Sequence, residues 1–458
     1  MNSKELHQII DKQEKYFQSG ATLDIGFRLK ALAKLKSMLL KYEDDICEAL
    51  QLDLGKHPVE SYASEHGLVI QEIGLMIRNL KKWIRPQRAA TPMVHWFAKS
   101  FYLNQPYGRV LIISPWNYPL QLLFMPMIGA IAAGNCVLAK PSIHAPHTTR
   151  VMKKMITEIY DPGYISLIEG SYEINRIILK EKFDYIFFTG SSEVGRKVME
   201  AASKYLTPVS LELGGKSPVI VEPDVSPALA ARRILWGKLL NTGQSCVAPD
   251  YMLVHKDIKE ALTMEMKKYL ISSYGDDIKG NHDYGRIINQ TNTKRLAGLI
   301  EGKNILFGGE YELAECYMSP TLVELSDPSD SLMQTEIFGP ILPFMTYDNL
   351  DAALEIVRSK ASPLTLYIFS GSKKIQQKVI HLTQSGSGGI NETVVHFINT
   401  YLPFGGVGAS GTGRYHGKYS YETFSYKRSF LNKANWIDIP VRYPPYKNKL
   451  KLFKLLIR

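Results

Sequence analysis

Apolar residues recur at intervals of three and four up to about residue 85, most clearly at Leu29, Leu32, Leu35 and Leu39, and this period predicts amphipathic helices. Past Gln105 the pattern changes. Short apolar runs at 110–113, 136–139, 165–169, 185–189 and 209–213 alternate with helical stretches, which predicts a doubly wound parallel sheet. A second α/β region opens at Pro218-Val219-Ile220-Val221, includes a helix carrying Trp236, and extends to about residue 389. The longest apolar stretch, 122–139, holds Pro126, Gly129, Gly134 and Asn135, so a buried helix followed by a strand fits it better than a membrane span. Segments 96–103 and 415–436 alternate polar and aromatic residues, a pattern that does not define how they pair.

A chain of 458 residues exceeds one ordinary hydrophobic core and implies two or three domains. The amino terminus carries Asn2, Ser3, Lys4 and Glu5 where a signal peptide needs apolar residues, which points to the cytoplasm. Four cysteines without Cys-X-X-Cys spacing argue against a disulfide framework and against a metal site. The formal net charge of +11 is mostly diffuse, and no basic patch is interleaved with aromatics, so nucleic acid is not an expected partner. The exception is the tail 438–458. There Arg442, Lys447, Lys449, Lys451, Lys454 and Arg458 alternate with Leu450, Leu452, Phe453, Leu455, Leu456 and Ile457, a basic amphipathic helix able to lie on an anionic bilayer or to dock on the protein itself.

Chemistry concentrates in two places. Asn241-Thr242-Gly243-Gln244-Ser245-Cys246 sets one cysteine in a polar turn after an apolar helix, where it reads as a nucleophile that needs a helix terminus or a nearby base to ionise. Upstream, Glu212 lies between Leu211 and Leu213 at the end of a strand-like run, where burial would raise its pKa and fit it to act as a base.

Together these segments resemble the aldehyde dehydrogenase superfamily, through a Glu-Leu-Gly-Gly-Lys-Ser box at Glu212 to Ser217 and a Gly-Gln-X-Cys box at Gly243 to Cys246. Further family motifs follow in order: Pro115-Trp116-Asn117-Tyr118-Pro119, Lys140-Pro141-Ser142, Phe188-Thr189-Gly190-Ser191-Ser192-Glu193-Val194-Gly195, Glu336-Ile337-Phe338-Gly339-Pro340 and Pro403-Phe404-Gly405-Gly406-Val407-Gly408. The run Tyr415-His416-Gly417-Lys418 with Glu422-Thr423-Phe424-Ser425 is similar to the class 3, fatty or aromatic aldehyde branch. The resemblance implies a Rossmann-like NAD(P)-binding domain (1–85 and 105–213), a second α/β catalytic domain (214–400) and a small β oligomerisation arm (86–104 and 415–437) that builds a homodimer.

It also implies roles. Cys246 would attack the aldehyde carbonyl, and Asn117 with the Cys246 amide would hold the resulting oxyanion. Glu212 would activate the water that releases the acid. For NAD, the pyrophosphate would sit at the helix start after Gly190 and Ser191, within the Gly190–Gly195 turn, with Trp116, Ser142 and Gly214 around the cofactor. Lys140 would reach the adenosine ribose, Glu336 the nicotinamide ribose, and Phe338 would pack nearby. Ile143 stands where many relatives carry a glutamate that repels a 2′-phosphate, so NADP is expected beside NAD. Tyr118, Trp236 and Leu240 are expected to wall an apolar pocket, the last two at i and i+4 on one helix face.

Two glycine motifs are decoys. Gly406-Val407-Gly408-Ala409-Ser410-Gly411 has dinucleotide spacing without a strand-turn-helix setting, and Gly215-Lys216-Ser217 mimics a P-loop whose first glycine position is Ser210. Two alternatives stay open: a coenzyme A-acylating relative, against which the retained Glu212 argues, and a non-catalytic scaffold protein of the same fold, against which Cys246, Glu212 and Asn117 argue.

Overall fold

In the computed structural model, which describes residues 3–438 and 440–456, the leucine series falls on the helix Ile25–Lys41, whose Leu32, Leu35 and Leu39 are fully buried. Met1, Asn2, Ile457 and Arg458 lie outside the described residues, as do the side chains of Phe453 and Leu456. The leucines pack on the helix Gln121–Ala133, buried along its whole length, which is why this stretch is apolar on every face. Gly134 ends that helix at φ 99°, and a Cβ there would lie 2.7 Å from the Arg28 guanidinium, so glycine serves both the turn and the close approach.

A six-stranded sheet has Arg109–Ile113 at its centre, flanked by Cys136–Lys140 and Ile165–Leu167 on one side and Tyr185–Thr189 and Val209–Glu212 on the other. These strands are parallel, and the short strand Gly411–Thr412 adds antiparallel to Val209–Glu212 at the edge. The order reverses between Arg109–Ile113 and its neighbours, which opens a crevice beyond the carboxyl ends of Ile113 and Thr189. A seven-stranded sheet, parallel except for its edge strand Asn304–Phe307, runs from that strand to Ser387–Ile390 at the other edge.

The third sheet pairs the distant segments that periodicity left unpaired. Ala98–Pro106 lies antiparallel between Gln87–Ala89 and Ser425–Lys433, in register from Ser425 opposite Pro106 to Lys433 opposite Ala98, and Phe101 stacks on Phe430 at 5.5 Å. The strand pattern does not begin at residue 415: Tyr415, Tyr421 and Phe424 are buried in the main core, with Phe187 against both Tyr415 and Phe424, and Lys418–Thr423 is helical. The tail ends in the helix Leu450–Leu456. Among the described residues, no helix is long and apolar enough to cross a membrane.

Candidate active site

The carboxyl ends of the six-stranded sheet face the amino ends of the seven-stranded one. From the first come the loop after Ile113, with Trp116 and Asn117, the turn after Thr189, with Gly190 and Ser191, and Glu212 with Gly214. From the second come Cys246, ahead of the strand Tyr251–His255, and Glu336 with Phe338, ahead of Ile341–Tyr347. Two cavities meet here.

One is an apolar space of about 720 Å³ lined by Tyr118, Leu122, Trp236, Leu240, Phe397 and Phe404 among others, with Cys246 and Glu212 in its wall. The other is a cleft of about 640 Å³ lined by Trp116, Asn117, Gly190, Ser191, Gly214, Glu336 and Phe338, again with Cys246 and Glu212. Cys246 therefore belongs to both. The predicted pocket residues Tyr118, Trp236 and Leu240 come together, but not for the reason given. The helix Pro227–Leu239 stops before Leu240, which caps it at φ −54° and ψ 127°, so Trp236 and Leu240 do not share a helix face.

Left-handed backbone at Asn241, Thr242 and Gly243 turns the chain sharply toward Cys246. A Cβ on Gly243 would lie 2.2 Å from the Gly339 carbonyl oxygen, which forbids any larger residue. Gln244 locks the turn: its Nε2 donates to the Arg286 carbonyl at 2.9 Å and its Oε1 accepts from the Ile288 amide at 2.9 Å. Asn117 Nδ2 donates to the Gln244 carbonyl at 3.0 Å, and Asn241 Nδ2 donates to the Asn117 carbonyl at 2.7 Å, so the asparagine and the cysteine turn hold each other.

Burial, with Glu336 and Glu212 close by, pushes the Cys246 thiol far above its ordinary range. The backbone amides of Cys246 and Val247 pull the thiol the other way without reversing the shift. Glu212 is itself raised well above the carboxylate range by burial, partly offset by Arg414, in line with its sequence reading. Burial and the nearby Asp250 raise Glu336 to about 8.

The cleft fits a dinucleotide. Ser191 caps the helix Ser192–Ser203, its Oγ accepting from the Val194 amide at 3.4 Å, and Gly190 and Ser191 line the cleft where that helix begins, an end whose first-turn amides lack intrahelical partners. Gly195 packs where a Cβ would meet Leu213 at 2.8 Å, and a Cβ on Gly214 would overlap the Glu336 carboxyl at 2.0 Å. Trp116 and Phe338 meet edge to face at 5.5 Å. Lys140 is buried, donates to the Pro141 carbonyl at 2.7 Å, and is lowered by burial to about 8, while Ser142 Oγ accepts from the His144 amide at 3.2 Å.

The decoys resolve structurally. Gly411 is the edge-strand residue that crosses Leu211, where a Cβ would lie 2.0 Å from the carbonyl oxygen, and Lys216 is a buried partner of Asp250 that also donates to the Leu332 and Thr335 carbonyls. Among the described residues there is no cluster of metal-ligating side chains. Sequence reasoning missed Leu364, Val394 and Phe397 in the apolar cavity, and the Lys56–Glu65 pair beneath Asn117. The apolar Val394-Val395-His396-Phe397-Ile398 run was the available signal for part of this.

The sequence model of the aldehyde dehydrogenase family matches residues 1–430. The chain belongs to the aldehyde dehydrogenase family. As such it is an enzyme that oxidises aldehydes with a nicotinamide dinucleotide as oxidant. It is 46% identical over 445 residues to a 4,4'-diaponeurosporen-aldehyde dehydrogenase of Staphylococcus aureus, covering 97% of each chain. It is 41% identical over 447 residues to a dimeric NADP-preferring aldehyde dehydrogenase of Mus musculus, covering 97% of this chain and 99% of that one. A solved substrate-bound state of a Staphylococcus aureus AldH superposes with a TM-score of 0.97 at 45% identity over 99% of each chain.

Proposed function

We propose that this aldehyde dehydrogenase acts on apolar aldehydes, medium- or long-chain aliphatic or aromatic, with Cys246 as nucleophile. The observation that carries the reading is the position of Cys246 in the wall between an apolar cavity and a cleft suited to a dinucleotide. The Cys246 sulfur adds to the aldehyde carbon, the carbonyl electron pair moves to oxygen, and the thiol proton passes by way of the Glu212 carboxylate to solvent. Asn117 Nδ2 and the Cys246 amide would hold that oxygen, each donor contributing about 3 kcal/mol. The cleft residues Trp116, Gly214, Glu336 and Phe338 would hold a nicotinamide, which would supply the hydride acceptor needed to take the Cys246 adduct to a thioester. Glu212 then takes a proton from water, the oxygen adds to the thioester carbon, and the Cys246 sulfur leaves with the acid released. Gly190, Ser191 and the helix start would carry the pyrophosphate, with Lys140 and Ser142 on the adenosine ribose and Glu336 on the other.

NADP is accepted in this reading because Ile143 puts an apolar side chain, 42% exposed, where a repelling carboxylate is common, and the mouse relative is NADP-preferring by name. The test is NADH and NADPH formation from acetaldehyde, hexanal, dodecanal and benzaldehyde, with Cys246→Ala alongside. Turnover that rises with apolar size and vanishes in the variant supports the reading. No turnover with either cofactor, in the presence or absence of coenzyme A, would move the protein to a non-catalytic role.

We propose further that the chain forms a homodimer by strand addition. Ser425–Lys433 is an exposed outer strand of the small sheet, and Ser387–Ile390 is the outer strand of the seven-stranded one, bordered by a groove with Ile368, Ile380 and Ile390. The tail is proposed to rest on an anionic bilayer. Leu450, Leu452 and Leu455 are exposed on the helix that also carries Lys451 and Lys454, and Trp96 and Trp436 stand exposed on either side of Phe97 at the end of the small sheet. Co-sedimentation with anionic vesicles, lost on truncation after Tyr443, is the expected result.

A further inference from the structure

Among the described residues, two polar side chains that line the apolar cavity alone carry buried atoms without a hydrogen-bond partner, the Tyr118 hydroxyl, which has the Ser245 side chain beside it, and the Gln121 amide. Thr189, Glu212 and Cys246 stand on the wall shared with the cofactor cleft, and the Ser64 hydroxyl donates to the Glu60 carbonyl at 2.7 Å. Gln121 differs. It is 0% exposed, it lines the substrate-side cavity only, and neither its Nε2 nor its Oε1 has a hydrogen-bond partner among the described residues.

Its backbone is fixed. The Gln121 amide donates to Glu65 Oε2 at 3.2 Å beside the Leu120 amide at 2.9 Å, so the residue is pinned at the first turn of the helix Gln121–Ala133. A buried amide with both ends unpaired is destabilising, and a helix packed for apolar contact on every other face has no structural use for one here. An amide offers one donor side and one acceptor side, which suits a neutral oxygen that can accept and, as a hydroxyl, also donate. A charged group is excluded by the lining, whose ionisable members, Tyr118, Glu212, Cys246 and Tyr415, are all acids and which holds no cation to pair with a carboxylate.

We propose that Gln121 is a specificity-determining residue that binds a neutral hydroxyl or carbonyl oxygen carried by the aldehyde away from its reacting end. The inference rests on reading this cavity as the substrate chamber. The preferred substrate is then an otherwise apolar aldehyde with one oxygen function along its chain, and not a plain hydrocarbon aldehyde. A site built to hydrogen-bond a substrate oxygen rejects the analogue without it, because the analogue leaves the buried amide unpaired.

The test compares kcat/KM for hydroxyalkanals and ketoalkanals with plain alkanals of equal length, from pentanal to dodecanal, in the wild type and in Gln121→Met, which keeps length and removes hydrogen bonding. Expected is a preference of about tenfold or more for the oxygenated chain at one spacing, abolished in the variant, with plain alkanals improved. The same ratios in both proteins, or a wild type that prefers plain alkanals at every length and leaves Gln121 to an ordered water, would overturn it. Calorimetric binding of the same aldehydes to Cys246→Ala, with and without Gln121→Met, reads the preference without turnover. A Gln121-dependent binding preference in a protein whose wild type oxidises none of these aldehydes would sink the proposed reaction and leave this inference standing; turnover without that preference would do the reverse.

Discussion

Lys56 Nζ lies 2.6 Å from Glu65 Oε1, with both side chains wholly out of solvent, directly beneath the loop that carries Asn117. The same ammonium donates to the Asn117 carbonyl at 3.2 Å and sits 4.1 Å from the centre of the Tyr118 ring. The other carboxylate oxygen takes the Leu120 and Gln121 amides, so one ion pair ties the π-helical turn Tyr62–His66 to residues 117–121. Neither group lines the reacting cavity; they position those that do.

Lys56→Met leaves a buried carboxylate without its cation and should cost about 3–5 kcal/mol of stability. Replacing both partners, Lys56→Met with Glu65→Leu, removes the stranded charge and should recover much of the melting temperature. It should not recover kcat, because the Asn117 carbonyl and the two amides lose their anchor. Thermal melts and steady-state kinetics on the single and double variants separate the two effects, and recovery of both together would refute a positioning role.

Glu72 gives stability a pH dependence of known sign. Burial raises its carboxyl from 4.5 to about 7, although Oε1 accepts from the Gly417 amide at 2.7 Å. Between those values the folded state keeps a proton that the unfolded chain has released. The stability tied to this proton is whole below the unfolded value and is lost as pH climbs through about 7. The loss amounts to roughly 3 kcal/mol. Glu72→Gln should therefore melt higher than wild type at pH 8, with the difference shrinking toward pH 5; a constant offset across that range would contradict the assignment.

The raised thiol makes alkylation a direct probe. Without cofactor, iodoacetamide should label Cys246 slowly at neutral pH, with a rate that keeps climbing about tenfold per pH unit past the ordinary thiol value of about 8.5. Glu212→Gln removes one opposing charge and should move the profile to lower pH. Peptide mass mapping distinguishes this site from Cys47 and Cys316, which are also partly exposed. A wild-type rate that levels off by pH 8 would show that the two acids do not govern the thiol.

Dimerisation by strand addition predicts that charge placed on both edges separates the subunits. Ile390→Glu with Leu431→Glu, both at sites exposed in the single chain, should halve the mass seen by light scattering without lowering helix content. An unchanged dimer would place the interface elsewhere.

Much of the fold was legible because the buried strands are short apolar runs cut off by turns. The 136–139 and 185–189 runs match strands Cys136–Lys140 and Tyr185–Thr189 to within a residue. The small sheet was not, since Ala98–Pro106 and Ser425–Lys433 meet across most of the chain and both faces are half wet. Cys246, Glu212 and Asn117 stood out through their motifs, and the structure brings them to one junction. Lys56, Glu65 and Gln121 carried no such mark: in sequence they look like ordinary surface residues, and only three-dimensional burial makes them unusual. Leu240 shows the opposite failure, a helical spacing extended one residue past the helix end.

Among the described residues, the apolar cavity and the cofactor cleft have only Leu122, Thr189, Glu212 and Cys246 in common. That partition is the part of the molecule that must satisfy two tenants at once, and a change there is felt on both sides. The rest of each chamber answers to a single occupant. Phe397 and Leu68 face the apolar chamber alone and Trp116 and Phe338 the cleft alone, so one shared wall can be inherited unchanged while the rooms on either side are refurnished separately.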